Sequence, residues 1–308
     1  MRLEPRFLRG SHPPLVTPFR GGAVDLDAFA ALVERQVEEG SPGIVVGGTT
    51  GEATSLSASE RDELLRTAVR VAARRVSVVA GAGAASYEET LALVAQAERA
   101  GADALLVVTP YYVKPPPAGL VEYFVAVGQR TALPLLVYHI PGRAAVTVTA
   151  ETVARIADRL PNLVGMKHAA PELDIVSELR LRLGPEFRVF CGLESLCLPM
   201  LAVGAAGVMS AVGNLVPARV AALCRAVAEG ALAEAQRIHL ELFELSQAVF
   251  FDTNPIPLKH MMWRRGLLPA PDVRLPLVPL DAERAQRVDE VLRRAGLRRE
   301  AAAAGGRG

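Results

Sequence analysis

The amino-acid sequence predicts an α/β chain built as a (β/α)8 TIM barrel with a C-terminal helical appendage. Three observations lead there. Eight short runs rich in Val, Leu, Ile and Ala alternate with amphipathic stretches along residues 15–229. The runs mostly do not alternate in polarity, which suits parallel strands covered on both faces. The turn Gly47-Gly48-Thr49-Thr50-Gly51 lacks the GxGxxG spacing expected of a dinucleotide-binding open sheet, the nearest competing architecture.

The expected strands are Leu15–Pro18, Gly43–Gly48, Val76–Ala82, Ala104–Thr109, Leu135–Ile140, Leu163–His168, Arg188–Gly192 and Gly207–Ala211. The first helix, Asp25–Glu39, places Phe29, Leu32, Val33 and Val37 at helical spacing. The second, Ser59–Ala73, reads Ser59 as its cap, with Asp62 and Glu63 in the first turn. The third, Ser86–Ala100, is capped by Ser86 and stopped by Gly101. Later helices are expected at Pro117–Arg130, Thr149–Leu160, Pro171–Leu183, Ser195–Val203 and Pro217–Glu229. The strands stop near Ala231. Helices are then expected at Ala231–Phe250, Leu258–Arg265 and Asp281–Ala295, punctuated by Pro255, Pro257, Pro269 and Pro271. The organisation predicted is a barrel over residues 1–230, a helical region over 231–297, and an Ala/Gly/Arg-rich tail, 298–308, expected to be disordered.

Composition narrows the function classes. The net charge is +1, and the basic residues are scattered, which argues against a nucleic-acid or membrane-surface partner. No run reaches the ~18 apolar residues that a membrane helix needs. The start carries no secretory pattern, so a cytoplasmic location is expected. Three cysteines and five histidines fit neither a disulfide framework nor a metal-ligand spacing, so no metal cofactor is expected.

Among 34 Lys plus Arg only Lys114, Lys167 and Lys259 are lysines. A chain that uses Arg wherever a surface cation suffices keeps Lys where an amine must lose its proton; coding bias is the plain alternative. Lys167 lies in the apolar run Leu163–His168. Burial disfavours an ammonium, and a neutral amine is a nucleophile toward a ketone. A lysine snorkelling to water is the competing reading.

In a barrel of this class the chemistry stands at the C-terminal strand ends. One such end is Gly47–Glu52, whose free amides and hydroxyls suit a carboxylate, or which is a plain turn. Another is Thr109-Pro110-Tyr111-Tyr112; there Tyr111 is assigned to interface packing. A third is Tyr138-His139-Ile140-Pro141-Gly142-Arg143, where a phenol can shuttle protons and a guanidinium can grip a carboxylate.

Together these segments resemble the dihydrodipicolinate synthase/N-acetylneuraminate lyase (DapA-like) family of class I aldolases, from about Pro14 to Pro279. The likeness is carried by Gly48–Glu52, Ala80–Ala84, Thr109–Tyr112, Tyr138–Arg143, Gly165–Ala169 and Asn254–Lys259, in that order. The resemblance implies a Schiff-base lysine at Lys167 and a proton-relaying tyrosine at Tyr138. It implies that Thr49 and Thr50 hold the keto-acid carboxylate, with Thr49 also in the relay. Tyr112 matches a tyrosine contributed by a neighbouring subunit. Gly192 and Met209 match pocket-lining positions, and Arg143 matches the group that binds the second substrate's carboxylate. The implied partners are pyruvate and an aldehyde, the implied assembly a homotetramer, and no cofactor is needed because the imine is the electron sink.

His139, His168, Ala144, Leu193 and Glu194 depart from the synthase pattern, and they are expected to surround the second-substrate side. Two activities are therefore alternatives for the same machinery, the first of them the leading expectation. One is synthase-type condensation of pyruvate with aspartate semialdehyde. The other is a catabolic aldol cleavage, such as that of 2,4-dihydroxyhept-2-enedioate to pyruvate and succinate semialdehyde, or a related 2-keto-3-deoxy acid aldolase or dehydratase reaction. A non-catalytic sensor or scaffold is the third reading. Ala58 and Ala85 stand where lysine-inhibited relatives place polar groups, so feedback by lysine is not expected.

Overall fold

The computed structural model describes residues 1 and 3–297; the expected disordered tail, 298–308, lies outside the described residues. Eight parallel strands form one sheet: β1 (Gly10–Ser11), β2 (Gly43–Val46), β3 (Ser77–Gly81), β4 (Ala104–Val108), β5 (Leu135–His139), β6 (Leu163–His168), β7 (Arg188–Cys191) and β8 (Gly207–Val208). Each strand pairs with the next from β2 to β8, and β8 pairs with β1. A bridge from Pro14 to Val45 in β2 closes the ring. The inner face packs Leu8, Val45, Val79, Leu106, Leu136, Tyr138, Phe190 and Met209 into one cluster. A larger apolar layer lies between strands and helices.

The first strand is a correction. Leu15–Pro18 is not a strand; β1 is Gly10–Ser11. Proline cannot donate to a ladder, so Pro13 and Pro14 limit the pairing with β2 to one bridge, in which the Pro13 carbonyl accepts from Val45 N–H and Leu15 N–H donates to the Val45 carbonyl. The apolar residues Leu15 and Val16 instead bury outside the barrel. Phe19–Arg20 and Ala23–Val24 then form a short antiparallel hairpin.

The helix devices are mostly as read. Asp25 caps Leu26–Glu38 by accepting from Ala28 N–H. Ser86 caps Tyr87–Ala100, and Gly101 ends it at φ +84°. The second helix is capped by Ser57 rather than Ser59, because Ser57 and Glu60 complete a capping box ahead of Ala58–Ala72. The C-terminal region contributes the helices Leu232–Ala248, Ile256–Arg264 and Ala282–Arg294.

A one-residue irregularity matters more than any boundary. Leu135 pairs with Leu163, but Leu136 pairs with Gly165, so Val164 is an extra residue in β6. A bulge of this kind shifts every later side chain to the opposite face. Leu163 faces the helices and Val164 the interior; beyond the bulge, Met166 faces the helices and Lys167 the interior, in register with Tyr138. Gly165 is required there, since a Cβ would sit 2.3 Å from the Arg188 carbonyl oxygen.

Two buried histidines make acid stability testable. Burial holds the His12 imidazole down at about 4, opposed by its bond to the Gly10 carbonyl. Burial, and then the neighbouring His168, hold His139 at about 4 as well. Both remain neutral in the folded chain and take up a proton near 6.5 when unfolded. Their contribution is therefore complete above about pH 6.5 and is lost as pH falls to about 4, up to ~3 kcal/mol for each. Urea midpoints at pH 7 and pH 4.5 should fall steeply for the natural chain and less for His12→Gln. Equal slopes would remove His12 from the account.

Candidate active site

The C-terminal ends of β2, β3, β4 and β5 open on a cavity of about 450 Å³, within the size range of small-molecule sites. Its wall includes Gly48, Thr49, Tyr111, Tyr138, Arg143 and Asn254. Lys167, Thr50, Gly192 and Met209 lie behind this wall, buried or nearly so.

The strand ends explain the arrangement locally. β2 runs out at Val46, Gly47 turns the chain at φ +72°, and Thr49–Gly51 forms a single 3-10 turn. The end of β3 must pass close by, because a Cβ on Gly81 would sit 2.3 Å from the Gly47 carbonyl oxygen. This accounts for glycine at Gly81, a position that periodicity alone leaves unexplained. The Thr49 hydroxyl lies 3.3 Å from the Tyr138 phenol oxygen. Thr50 accepts a hydrogen bond from the Asn254 side-chain amide at 3.0 Å.

On β6, Lys167 is 5% exposed, and its amine sits over the Tyr138 ring, 4.4 Å from the centroid. Among the described residues no carboxylate lies within ion-pair distance of it. Gly192, following β7, leaves the space that the lysine stem fills; a Cβ there would meet Lys167 Cε at 2.7 Å. Glu194 is buried beyond it and accepts from Ala211 N–H. Burial pushes the Glu194 carboxyl up, while the Ala211 bond and the Lys167 charge pull it down. Met209 packs in the inner cluster with Tyr138 and Phe190.

The structure thus brings Lys167, Tyr138, Thr49, Thr50, Gly192 and Met209 together. Arg143 stands at the cavity rim and donates to the Asn254 carbonyl oxygen at 3.0 Å. Tyr112 does not join them within the chain: it is 92% exposed, at φ +74°. Tyr111, assigned to interface packing from sequence, lines the cavity in this chain, and the left-handed backbone at Tyr112 turns the second tyrosine outward.

The departures at His139 and His168 also need correction. Side chains alternate across a strand, so the residues following Tyr138 and Lys167 face the helices. The two rings stack there, 5.1 Å apart, with their Nδ1 atoms 3.0 Å from each other. His168 Nε2 donates to the Glu172 carbonyl oxygen at 2.9 Å, leaving its Nδ1 to accept from His139. Neither residue lines the cavity; among the departures, Ala144 does.

Sequence reading assigns no role to Asn254 and misses the pairing of Glu52 with Lys259, whose atoms meet at 2.7 Å in the interior. Both stand in view in the segments Gly48–Glu52 and Asn254–Lys259, but nothing in the sequence joins two segments so far apart in the chain.

Known proteins resemble this chain in sequence and in fold. The sequence profile described as the Dihydrodipicolinate synthetase family matches residues 7–295. A 4-hydroxy-tetrahydrodipicolinate synthase of Thermus thermophilus is 45% identical over 290 residues, covering 94% of this chain and 97% of its own. The crystal structure of dihydrodipicolinate synthase from Aquifex aeolicus superposes with a TM-score of 0.92 at 40% identity, covering 95% of this chain and 100% of its own. The 4-hydroxy-tetrahydrodipicolinate synthase of the methanotroph Methylacidiphilum fumariolicum SolV gives a TM-score of 0.91 at 38% identity, covering 94% and 96%.

Proposed function

The chain belongs to the dihydrodipicolinate synthetase family of class I aldolases, and from that premise we propose that it condenses pyruvate with aspartate semialdehyde on Lys167. The enzyme is a carbon–carbon lyase of the pyruvate-condensing type. The observation that carries the site assignment is a single chain of contacts. Lys167 lies on the Tyr138 ring at 4.4 Å, and the Tyr138 hydroxyl lies 3.3 Å from Thr49.

In this reading the Lys167 amine attacks C2 of pyruvate to give a carbinolamine. Tyr138 supplies the proton with which water leaves, and a protonated imine remains. The imine withdraws electrons, so C3 gives up a proton to the Tyr138 phenolate and becomes the nucleophilic carbon of an enamine. That carbon bonds to the aldehyde carbon, whose oxygen takes the proton back from Tyr138, and addition of the aldehyde's own amino group or of water at C2 then breaks the bond to Lys167 and frees its amine. The turn at Thr49 and Thr50 holds the pyruvate carboxylate so that C2 faces the amine. Tyr112, exposed on its own chain, is available to complete the relay of a second copy, as in the tetramer that the resemblance implies.

Two observations favour aspartate semialdehyde over the catabolic substrates. The named relatives are synthases, and two of the departures, His139 and His168, do not line the cavity. Arg143, at the rim, matches the group that binds the second substrate's carboxylate, and it serves either aldehyde because both carry a distal carboxylate. Arg143→Ala should raise the KM for aspartate semialdehyde by about 10- to 100-fold, the worth of one charge-assisted pair, with the pyruvate KM within about threefold. The reading as a whole is tested by borohydride reduction in the presence of pyruvate, followed by turnover assays with aspartate semialdehyde and succinate semialdehyde. A pyruvate adduct on Lys167 with turnover of the first aldehyde supports it; an adduct with turnover of the second alone moves the enzyme to the catabolic branch.

A further inference from the structure

Two features singled out in the sequence play no part in the chemistry above: Glu52, which ends the turn segment, and Lys259, one of three lysines in the chain. They meet in the structure as a fully buried ion pair, with side-chain exposures of 1% and 0%. The other Glu52 oxygen accepts the Arg274 backbone N–H at 3.0 Å. The Lys259 amine lies over the Phe19 ring, 4.2 Å from its centroid, and the Arg274 guanidinium lies over the same ring at 4.5 Å. Arg274 also donates to the carbonyl oxygens of Gly22 and Ser55, and pairs with Glu60. Five residues before Lys259, Asn254 holds the Thr50 hydroxyl.

The C-terminal helix Ile256–Arg264 and its approach therefore grip the turn at two points. Asn254 takes its middle at Thr50, and Lys259 takes its end at Glu52. Glu52 occupies a left-handed backbone conformation at φ +53°, which is uncommon for a residue with a side chain and persists where surroundings hold it. A buried pair of this kind adds little to stability compared with an apolar replacement, so stability alone does not explain its place beside the site. We propose that the Glu52–Lys259 pair is a positioning device for the reaction: through the turn it sets Thr49 and Thr50 against the keto-acid carboxylate and Tyr138. The helical region is then part of the active site rather than an appendage to it.

The inference rests on the pyruvate reading above, and its test separates the two. Glu52→Gln and Lys259→Met are assayed by steady-state kinetics on the full-length enzyme, with folding checked by circular dichroism. Each should raise the pyruvate KM by about 10-fold or more, with the aspartate semialdehyde KM within about twofold because Arg143 stays in place. The double variant should be no worse than either single one, since the pair acts as a unit. A merely structural pair would lower the melting temperature and the active fraction, and would leave both KM values alone; that result overturns the proposal. If a charge variant fails to fold, Asn254→Ala loosens the same turn without touching the pair and carries the same KM criterion. Failure of the natural enzyme to trap pyruvate would instead strike the functional reading itself.

Discussion

Lys167→Ala is expected to lower turnover by about 10⁴-fold or more, because the nucleophile and the electron sink disappear together. Lys167→Arg should be as inactive, since a guanidinium keeps its proton and cannot form the imine. Neither variant should carry a pyruvate adduct after borohydride reduction, while the natural chain carries one. A stability measurement makes the expectation sharper. Lys167 is 5% exposed, and among the described residues it has no carboxylate partner within ion-pair distance. Its amine meets only the Tyr138 ring and the longer-range charge of the buried Glu194, little return for burying an ammonium, and Gly192 already leaves room for the stem. Lys167→Met should therefore unfold at an equal or higher denaturant concentration, by about 1–2 kcal/mol. Activity lost with stability gained marks a group kept for chemistry. A Met variant that is both active and less stable would place the nucleophile elsewhere.

The extent to which this site is legible in the sequence follows from what each signal measures. Apolar runs and caps report burial and helix ends, so seven of the strands and most helices fall within a few residues of their expected place. The first strand escapes because two prolines break its ladder and an apolar run just beyond it is buried by helices instead. The direction of Lys167 is open for a different reason. Strict alternation from Leu163 would send it outward; the extra residue Val164 sends it inward, and a bulge leaves no mark in hydropathy. That Tyr111 lines the cavity while Tyr112 points away from it has a similar cause, a left-handed residue that only backbone angles reveal. His139 and His168 are expected at the cavity because a motif strings together neighbours along the chain, whereas a strand puts neighbours on opposite faces. The pair Glu52–Lys259 shows the opposite limit. Both residues are visible within motifs, yet a salt bridge across 207 positions has no local signature at all.

The Tyr138 hydroxyl offers the second large effect, and its geometry separates proton transfer from packing. Tyr138→Phe keeps the ring on which the Lys167 amine rests and removes only the oxygen that faces Thr49 at 3.3 Å. If the phenol relays protons during loss of water and aldehyde addition, kcat should fall by about 10²- to 10⁴-fold. The pyruvate KM should change by little more than about threefold, because the groups proposed to hold the carboxylate are untouched. Borohydride trapping should proceed slowly but reach the same final extent, since the lysine and its burial persist. Thr49→Val removes the other end of the same contact and should lower kcat in the same direction. Combined with Tyr138→Phe it should add little, because two links of one relay fail as a unit. Full additivity of the two losses would mean that Thr49 and Tyr138 act separately, and the proton would then have to pass between the Tyr138 oxygen and a partner other than Thr49.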